Sequence, residues 1–405
     1  MRQLANDTMT VDEARDMIVR VTKAFQPRTP ITTRELFAGR WTEITTLSDA
    51  VGQTGLHVVI YGERGVGKTS LANVVRPVIQ VLVDNNTEGR LIMQLTAEAA
   101  DGFSSIWHKI FKDIMWSEDR PAFGLSTKQA EEVVSVDQAF ALPDKLSADD
   151  VRRVITKIPG AVFIIDEFDR AAGVASKQFT DLIKALADRA VDCTIILVGV
   201  SETVDELIVD HASIHRSLIQ IQLPRMKPAE LKEIIDKAEK QLDISFNDDA
   251  AALIVRMSQG LPHYTHLLGQ HAVRQAANDR RSRLIELSDV FAGLKEAVKQ
   301  AQQSVTKKHS TSIHSAHKDA LYRHVLLACA LAASQTDDPL GFFSPSAIAH
   351  PLGVILNRVV QIATFSNHLA EFSQAKRGAV LERIGQARAY RFRFRDPLLA
   401  QPSHF

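Results

Sequence analysis

Five short apolar segments, alternating with stretches of helical periodicity, constrain the fold more than any other feature of this sequence. The segments are rich in valine and isoleucine, and they cover residues 57–61, 91–95, 161–165, 194–200 and 219–223. Strands that are apolar along their whole length are typical of a parallel sheet with helices on both faces. The sequence therefore predicts an α/β domain built on a central parallel sheet.

The first predicted strand leads directly into a loop with the pattern G-x-x-x-x-G-K-[ST], with a helical stretch after it. The loop and the first residue after it are Gly62, Glu63, Arg64, Gly65, Val66, Gly67, Lys68, Thr69 and Ser70. Glycines let successive backbone N–H groups and the helix N-terminus point at a β-phosphate. We expect Lys68 to place a positive charge at the β and γ phosphates, and the Thr69 hydroxyl to ligate Mg²⁺. The motif predicts a nucleotide site of the P-loop type.

A second apolar strand ends in the acidic run Asp166-Glu167-Phe168-Asp169, which has the form of a Walker B motif. We expect Asp166 to hold Mg²⁺ or its water, and Glu167 to orient and deprotonate the attacking water. A solvated acidic turn that caps a strand is the alternative for this segment alone, but the phosphate loop upstream favours the nucleotide site. For Asp169 we expect a helix N-cap.

Three polar residues near the last two strands are candidates for sensing the nucleotide. Ser201 follows the fourth strand, where a γ-phosphate or the lytic water would lie, although a helix N-cap explains it equally well. Arg216 precedes the last strand and Arg225 follows it, and either side chain could stabilise transition-state charge in a neighbouring subunit. The alternative is a surface salt bridge, which we favour for Arg225.

The order of these features resembles that of the AAA+ ATPases, close to their initiator (origin-recognition) clade and to the related STAND regulators. The resemblance implies a P-loop NTPase core, an all-α lid and a C-terminal winged-helix domain. It implies ATP and Mg²⁺ as cofactors and a site that is completed by the next subunit of a homo-oligomer. No N/T-K-x-D segment follows the predicted sheet, so a GTPase fits the sequence poorly.

Two further segments carry the resemblance. Residues 36–43 are similar to the h-h-G-R-x-x-E box of those families, which implies that Arg40 and Phe37 border the adenine. A helix N-cap explains this box nearly as well. In the helical region, Gly260-Leu261-Pro262-His263 stands where AAA+ proteins usually have G-x-x-R, and it is also similar to the G-x-P element of STAND lids. The resemblance implies that Pro262 and His263 contact the nucleotide, with histidine in place of the sensor arginine.

The last segment, about residues 318–400, predicts three helices and a hairpin, which together describe a winged helix. Between residues 376 and 395 there are seven basic residues and one acid, Glu382. The basic residues are Lys376, Arg377, Arg383, Arg388, Arg391, Arg393 and Arg395. In residues 390–395 aromatic residues alternate with arginines, which predicts one inward face and one basic face. DNA phosphates are one expected partner of that face, and pairing with acids of the lid or of a neighbouring subunit is the other.

Composition limits the classes of protein that fit. Apolar residues make up 45% of the chain and charged residues 24%, which is ordinary for a globular protein. Basic and acidic residues number 48 each, so no overall charge draws the chain to nucleic acid or to an anionic membrane. The two cysteines, Cys193 and Cys329, stand far apart, and no apolar run is long enough to span a membrane. We therefore expect a cytoplasmic protein without a membrane partner.

We expect four regions along the chain. They are an N-terminal helical arm at 1–33, a P-loop ATPase domain at 34–226, a helical lid at 227–306 and a winged-helix domain at 310–405. Residues 118–144 should form an irregular surface insertion, and residues 307–317 a polar linker. The expected function is that of an ATP-hydrolysing, nucleotide-dependent oligomeric switch that acts on a protein effector. The alternative is an initiator-like or loader-like ATPase that binds DNA through residues 376–395.

Overall fold

The five predicted strands form one fully parallel sheet, as the sequence indicated. The strands are β1 (His57–Gly62), β2 (Ile92–Thr96), β5 (Ala161–Asp166), β6 (Cys193–Val200) and β7 (Leu218–Gln222). Their order across the sheet is β2-β5-β6-β1-β7. Strand β6 thus lies between the strand that leads into the phosphate loop and the strand that ends in Asp166.

A computed structural model describes residues 8–27, 29–31, 37–74, 90–120, 130–314, 321–386 and 389–400, without the side chains of 118–120, 130–132, 211, 280 and 300–308. The chain divides into two compact units. One is residues 30–224, which holds the sheet, and the other combines residues 1–29 with residues 225–405. The predicted N-terminal arm therefore belongs to the same unit as the predicted lid.

Helices cover the sheet in the 30–224 unit. They are α2 (Trp41–Val51), α3 over residues 68–74, α4 (Phe103–Asp113), α5 (Val136–Ala139), α6 (Ala148–Ile155) and α7 (Ala172–Asp188). The core is aromatic where α4 and α7 meet β5. The ring centroid of Trp107 lies 5.2 Å from the ring centroid of Phe163 and 6.0 Å from that of Phe179. All three residues are buried.

The insertion between β2 and β5 is more regular than we expected. Strands β3 (Met115–Arg120) and β4 (Ala130–Ser135) pair in antiparallel fashion, so the expectation of an irregular segment was wrong. Backbone pairing satisfies the main-chain groups whatever the charge of the side chains. Trp116 packs edge-on against Phe140, with 5.4 Å between the ring centroids, and gives the hairpin an apolar contact.

The second unit is mainly helical. Its helices are α1 (Val11–Ala24), α8 (Pro228–Leu242), α9 (Asp248–Ser258), α10 (Pro262–Gln275), α11 (Leu287–Ile313), α12 (Tyr322–Gln335), α13 (Pro345–Leu356) and α14 (Ser366–Phe372). Helix α1 packs against α8 and α10. Strands β8 (Ser245–Phe246) and β9 (Leu284–Ile285) form a short parallel pair beside them, and β10 (Leu381–Ile384) pairs with β11 (Arg391–Phe394) in an antiparallel hairpin.

Helix α11 runs through most of the segment that we expected to be a linker. It continues to Ile313, so residues 307–313 are helical and that expectation was wrong. A polar composition does not end a helix, and no proline stands between residues 287 and 313. The guanidinium of Arg377 donates to the carbonyls of Ser312 and His314 at the end of the helix, where carbonyls lack partners within the helix.

Candidate nucleotide site

The phosphate loop joins the end of β1 to α3, and its glycines adopt backbone conformations that other residues avoid. Gly62, Gly65 and Gly67 have φ values of 151°, 88° and 97°. A Cβ atom at Gly62 would also lie 2.4 Å from the carbonyl oxygen of Leu223. The first glycine of the motif is therefore required both by its φ angle and by the close approach of the chain that leaves β7.

Lys68 is buried within the loop that it closes. Its Nζ donates to the carbonyl oxygens of Gly62 and Glu63, at 3.0 and 2.9 Å. Burial lowers the pKa of Lys68 to about 8, although the nearby carboxylates of Asp169 and Asp166 oppose the shift. The loop therefore holds a desolvated ammonium group in the position where the motif predicts a phosphate ligand.

Asp166 and Glu167 lie at the carboxyl end of β5, at the same edge of the sheet as the phosphate loop. Asp166 is buried, and its Oδ1 accepts a hydrogen bond of 2.8 Å from the backbone N–H of Glu167. Glu167 has a φ of 51°, and its carboxylate forms an ion pair of 2.9 Å with Arg170. Both side chains of that pair are partly exposed, so the ion pair is solvated.

The oxygen donors of the site fit Mg²⁺. The Thr69 hydroxyl and the Asp166 carboxylate are hard oxygen donors of the type that Mg²⁺ prefers. Asp166 lies at the carboxyl end of β5, and the charge of its carboxylate opposes the lowering of the Lys68 pKa. These residues suit the metal.

Asp169 does not cap a helix, so our expectation for it was wrong. Its Oδ1 accepts a hydrogen bond of 2.8 Å from the backbone N–H of Val200, at the end of β6. The loop after β5 and the end of β6 also approach closely at Gly199, because a Cβ there would lie 3.2 Å from the backbone nitrogen of Asp169. Asp169 thus links the Walker B loop to the end of β6 by a hydrogen bond. The local sequence did not indicate this contact.

Ser201 follows β6 and is buried, with its hydroxyl engaged inside its own loop. The hydroxyl donates towards the carbonyl of Thr203 and the carboxylate of Glu206, and it accepts a hydrogen bond of 3.1 Å from Thr203 N–H. The hydrogen bond from Ser201 lowers the pKa of Glu206. A γ-phosphate sensor role remains a prediction, and in this structure the hydroxyl orders the turn after the strand.

Arg40 and Phe37, the residues expected to border adenine, are both buried. Arg40 has a φ of 63° and precedes the first residue of α2. Its guanidinium lies 3.3 Å from the Glu43 carboxylate and also donates to the backbone carbonyl of Pro224. Two members of the predicted box therefore pair with each other and hold the end of the segment that leaves the sheet, and contact with a base stays a prediction.

The two candidate trans-acting arginines differ in exposure. Arg216 lies exposed in the turn before β7, and within the described residues it has no ion pair. Arg225 is buried, and its Nη1 donates to the backbone carbonyl of Gln259 at 2.9 Å. Because Arg225 is buried, the surface position that we favoured for it is wrong, and a role at the nucleotide of a neighbouring subunit stays a prediction.

Pro262 and His263 begin helix α10 in the second unit. Gly260 has a φ of 80°, and its carbonyl accepts a hydrogen bond of 2.8 Å from Met226 N–H. Pro262 is the first residue of α10, where its missing N–H costs nothing. His263 Nδ1 donates to the carbonyl of Pro27 at 2.6 Å. The histidine expected to replace a sensor arginine is therefore hydrogen-bonded to the N-terminal arm.

The basic segment near the C-terminus does not present a continuous charged row. Arg393 is buried against Glu382, so the expected alternation of an apolar face and an open basic face is wrong. Arg391 pairs with Asp338 at 2.7 Å and Arg377 with Glu371 at 3.3 Å. Among the described residues of this segment, the exposed basic side chains that form no ion pair are Lys376, Arg383 and Arg395, whereas Arg388 lies outside the described residues.

Sequence reasoning missed two partners of the predicted site. Arg170 pairs with Glu167 three residues before it, and this spacing of opposite charges on a helical turn was a usable signal. Glu206 reaches the Ser201 hydroxyl across a turn, and no sequence pattern distinguishes it from Glu202.

Comparison with known proteins agrees with this architecture. Residues 23–338, more than half of the chain, match the family described as Novel STAND NTPase 1. The chain is a member of this STAND NTPase family. No curated protein matches the sequence. Within the described residues, no helix combines the length and the apolar character needed to cross a membrane.

Solved structures share the fold of this STAND NTPase at low sequence identity. The ORC2 protein of Aeropyrum pernix, solved in ADPNP and ADP complexes, is 15% identical, with a TM-score of 0.52 over 95% of each chain. A Walker-type ATPase of Pyrococcus abyssi is also 15% identical, with a TM-score of 0.52 over 93% of this chain and 99% of that one. These similarities confirm the parallel-sheet AAA+ fold.

Proposed function

We propose that this STAND NTPase binds and hydrolyses ATP with Mg²⁺, and that the nucleotide controls its assembly and its action on a partner protein. One observation carries the proposal. The glycine loop with Lys68 and the acidic residues Asp166 and Glu167 all lie at the same edge of the sheet. The ADPNP and ADP complexes of the similar Aeropyrum pernix protein support an adenine nucleotide.

Each residue has a separate task in this proposal. The loop N–H groups and Lys68 bind the phosphates, which requires the ammonium to exchange its carbonyl partners for phosphate oxygens. Thr69 and Asp166 hold Mg²⁺, which neutralises phosphate charge when bound. Glu167 orients the water and accepts its proton, and for this the carboxylate must turn away from Arg170.

Two substitutions test the ATPase proposal. Lys68→Ala should abolish ATP binding, because it removes the buried ammonium group that the loop holds for the phosphates, and a retained affinity would remove the phosphate-loop assignment. Glu167→Gln should bind ATP and fail to turn it over, and unchanged turnover would show that another group activates the water. Equilibrium binding of a fluorescent ATP analogue and steady-state phosphate release are the two measurements.

Assembly in response to nucleotide is the part of the proposal that Arg216 supports. Its exposure leaves the guanidinium free to act on the nucleotide of a neighbouring copy. Arg216→Ala and Glu167→Gln proteins should each be inactive, and a mixture should recover some activity because some interfaces contain two intact residues. Light scattering with and without ATP and Mg²⁺ tests assembly directly, and full activity of Arg216→Ala alone would exclude the role in trans.

DNA binding is the second candidate function, and the exposed Lys376, Arg383 and Arg395 favour it. We propose that the C-terminal helices and hairpin form the expected winged helix. The internal pairing of three other arginines makes a protein partner the better first choice. Binding to duplex DNA that weakens steeply with salt would support the second function. The burial of both free cysteines suits the cytoplasmic location that we propose.

A further inference from the structure

An open cleft of about 490 Å³ lies within the 30–224 unit, between the segment that follows α5 and helix α6 with the turn after it. This volume falls in the range of about 300–1,000 Å³ that is typical of small-molecule sites. Lys157, which lines the cleft, stands four residues before β5 begins at Ala161, whereas Asp166 ends that strand. The six residues of β5 span about 20 Å, so the cleft is separate from the nucleotide site.

One wall of the cleft is apolar, and Phe140, Leu142 and Pro143 line it. The Phe140 ring packs edge-on against Trp116 of the β3–β4 hairpin, with the ring centroids 5.4 Å apart. Ala141, between the first two of these residues, has a left-handed φ of 45°. Alanine avoids this conformation unless its surroundings impose it. The wall is therefore held in one conformation by its own packing.

Two side chains of α4 hold the backbone behind this wall. His108 Nδ1 donates to the carboxylate of Asp137, and its Nε2 lies 3.3 Å from the carbonyl oxygen of Asp144. The hydroxyl of Ser104 accepts a hydrogen bond of 2.9 Å from the N–H of Leu146. The segment is thus fixed before and after the apolar residues. A ligand would meet a preformed surface, which lowers the entropic cost of binding.

The other wall of the cleft carries positive charge. Arg152, Arg153 and Lys157 line it together with one acid, Asp150. Arg153 pairs with Asp150, and Arg152 pairs with Asp149 at 2.7 Å, so two acids balance the two arginines. Within the part of the chain that the structure describes, the exposed Lys157 forms no ion pair. Its ammonium group therefore supplies the positive charge that remains on this wall.

We propose that the cleft binds a small carboxylate with an apolar body, with the carboxylate beside Lys157 and the body against Phe140 and Leu142. One negative charge matches the one unbalanced cation, and hydrogen bonds between two charged groups are stronger than those between neutral groups. An aromatic or hydrocarbon body removes the apolar wall from water, which favours binding. This site goes beyond the proposed function and does not depend on it, because no residue of the cleft belongs to the phosphate loop.

Protection of an introduced thiol tests the site in the full chain. Cys193 and Cys329 are buried, so the thiol of a Thr156→Cys variant, which lines the cleft, should be the main target of neutral iodoacetamide. Millimolar 2-naphthylacetate or decanoate should slow its alkylation at least threefold. Thr22→Cys is the matched control, because both threonines are exposed and both hydroxyls bond a carbonyl of their own helix. No protection by either carboxylate, or equal protection of the control, would overturn the site.

Reversing one charge tests the class of ligand. In the Thr156→Cys background, Lys157→Glu should abolish protection by 2-naphthylacetate and leave the effect of the uncharged 2-naphthylacetamide unchanged. Lys184→Glu, at an exposed lysine of α7 outside the cleft, should alter neither effect. Protection by 2-naphthylacetate that survives Lys157→Glu would overturn the assignment of the carboxylate to Lys157. Equal protection by the acetate and the acetamide before that substitution would overturn the anionic class.

Discussion

Replacing Arg393 with alanine distinguishes a structural role of the C-terminal hairpin from a role in DNA binding. Arg393 is only 5% exposed, and its Nε and Nη2 both lie 2.7 Å from Glu382 Oε2. The guanidinium also stands 4.5 Å from the centroid of the Phe342 ring. The side chain therefore holds β10, β11 and residue 342 together, and we expect its loss to destabilise the unit.

The size of the effect follows from these contacts. Removing one partner of a fully buried ion pair costs about 3–5 kcal/mol, because the other charge stays buried. Glu382 keeps 21% of its side chain exposed, so water recovers part of that cost and about 2 kcal/mol remains. Loss of the cation–π contact adds about 0.5–1 kcal/mol. We expect the free energy of unfolding of this unit to fall by roughly 2.5–3 kcal/mol.

The assay must report on the correct unit. All three tryptophans, at positions 41, 107 and 116, lie in the 30–224 unit, so tryptophan fluorescence follows the sheet and not the hairpin. Denaturant unfolding followed by hydrogen exchange at residues 381–394 measures the second unit. Exposed Arg395→Ala is the control, with an expected change within about 0.5 kcal/mol. Unchanged stability of Arg393→Ala, together with a salt slope for DNA lowered by about one, would refute the reasoning.

Three further predictions concern the sheet unit. Gly62→Ala should abolish ATP binding and destabilise the unit, because its Cβ would lie 2.4 Å from the Leu223 oxygen; normal binding would contradict the loop geometry. Since the pKa of Lys68 is about 8, ATP affinity should fall and proton uptake should appear between pH 8 and 9, which calorimetry in two buffers measures. Burial lowers the pKa of His57 to about 4, so its contribution to stability is present above pH 6.5 and is lost as the pH falls towards 4. His57→Gln should therefore flatten that part of the stability profile measured by denaturant unfolding, and an unchanged slope would count against the buried histidine.

The sheet could be predicted because its information is local. Each strand is apolar along its length, and the structure moves the predicted ends by only one residue or two, as at Cys193 and Gln222. The phosphate loop is equally local, since its glycines need positive φ angles whatever the rest of the chain does. Its position after β1 follows from the sequence alone.

The C-terminal segment could not be predicted in the same way. The alternation of aromatic and basic residues in β11 correctly buries Phe392 and Phe394. It could not show that a segment about fifty residues earlier covers the strand, where Phe343 bridges to Phe392 and the Phe342 ring lies under Arg393. Contacts over such sequence distances depend on the tertiary fold and leave no trace in a local pattern.

The exposure of Arg216 and Arg225 also depends on the tertiary fold and could not be predicted from the sequence. Both arginines flank β7 in the sequence, and no local pattern distinguishes them. In the structure Arg225 is buried and donates to the carbonyl of Gln259. Gln259 is the C-cap of α9, with a left-handed φ of 47°, and its carbonyl accepts the hydrogen bond from Arg225. Only the fold around that turn decides which arginine stays exposed.

Helix α11 gives the second unit a rigid lever. With 27 residues and a rise of about 1.5 Å per residue, it measures about 40 Å from Leu287 to Ile313. A tilt of about 10° at its first turn would move its last turn by about 7 Å, and the Arg377 contact at that end would carry the displacement to the C-terminal helices. A small rotation of the first turn of α11 would thus produce a displacement several times larger at the last turn of the same helix.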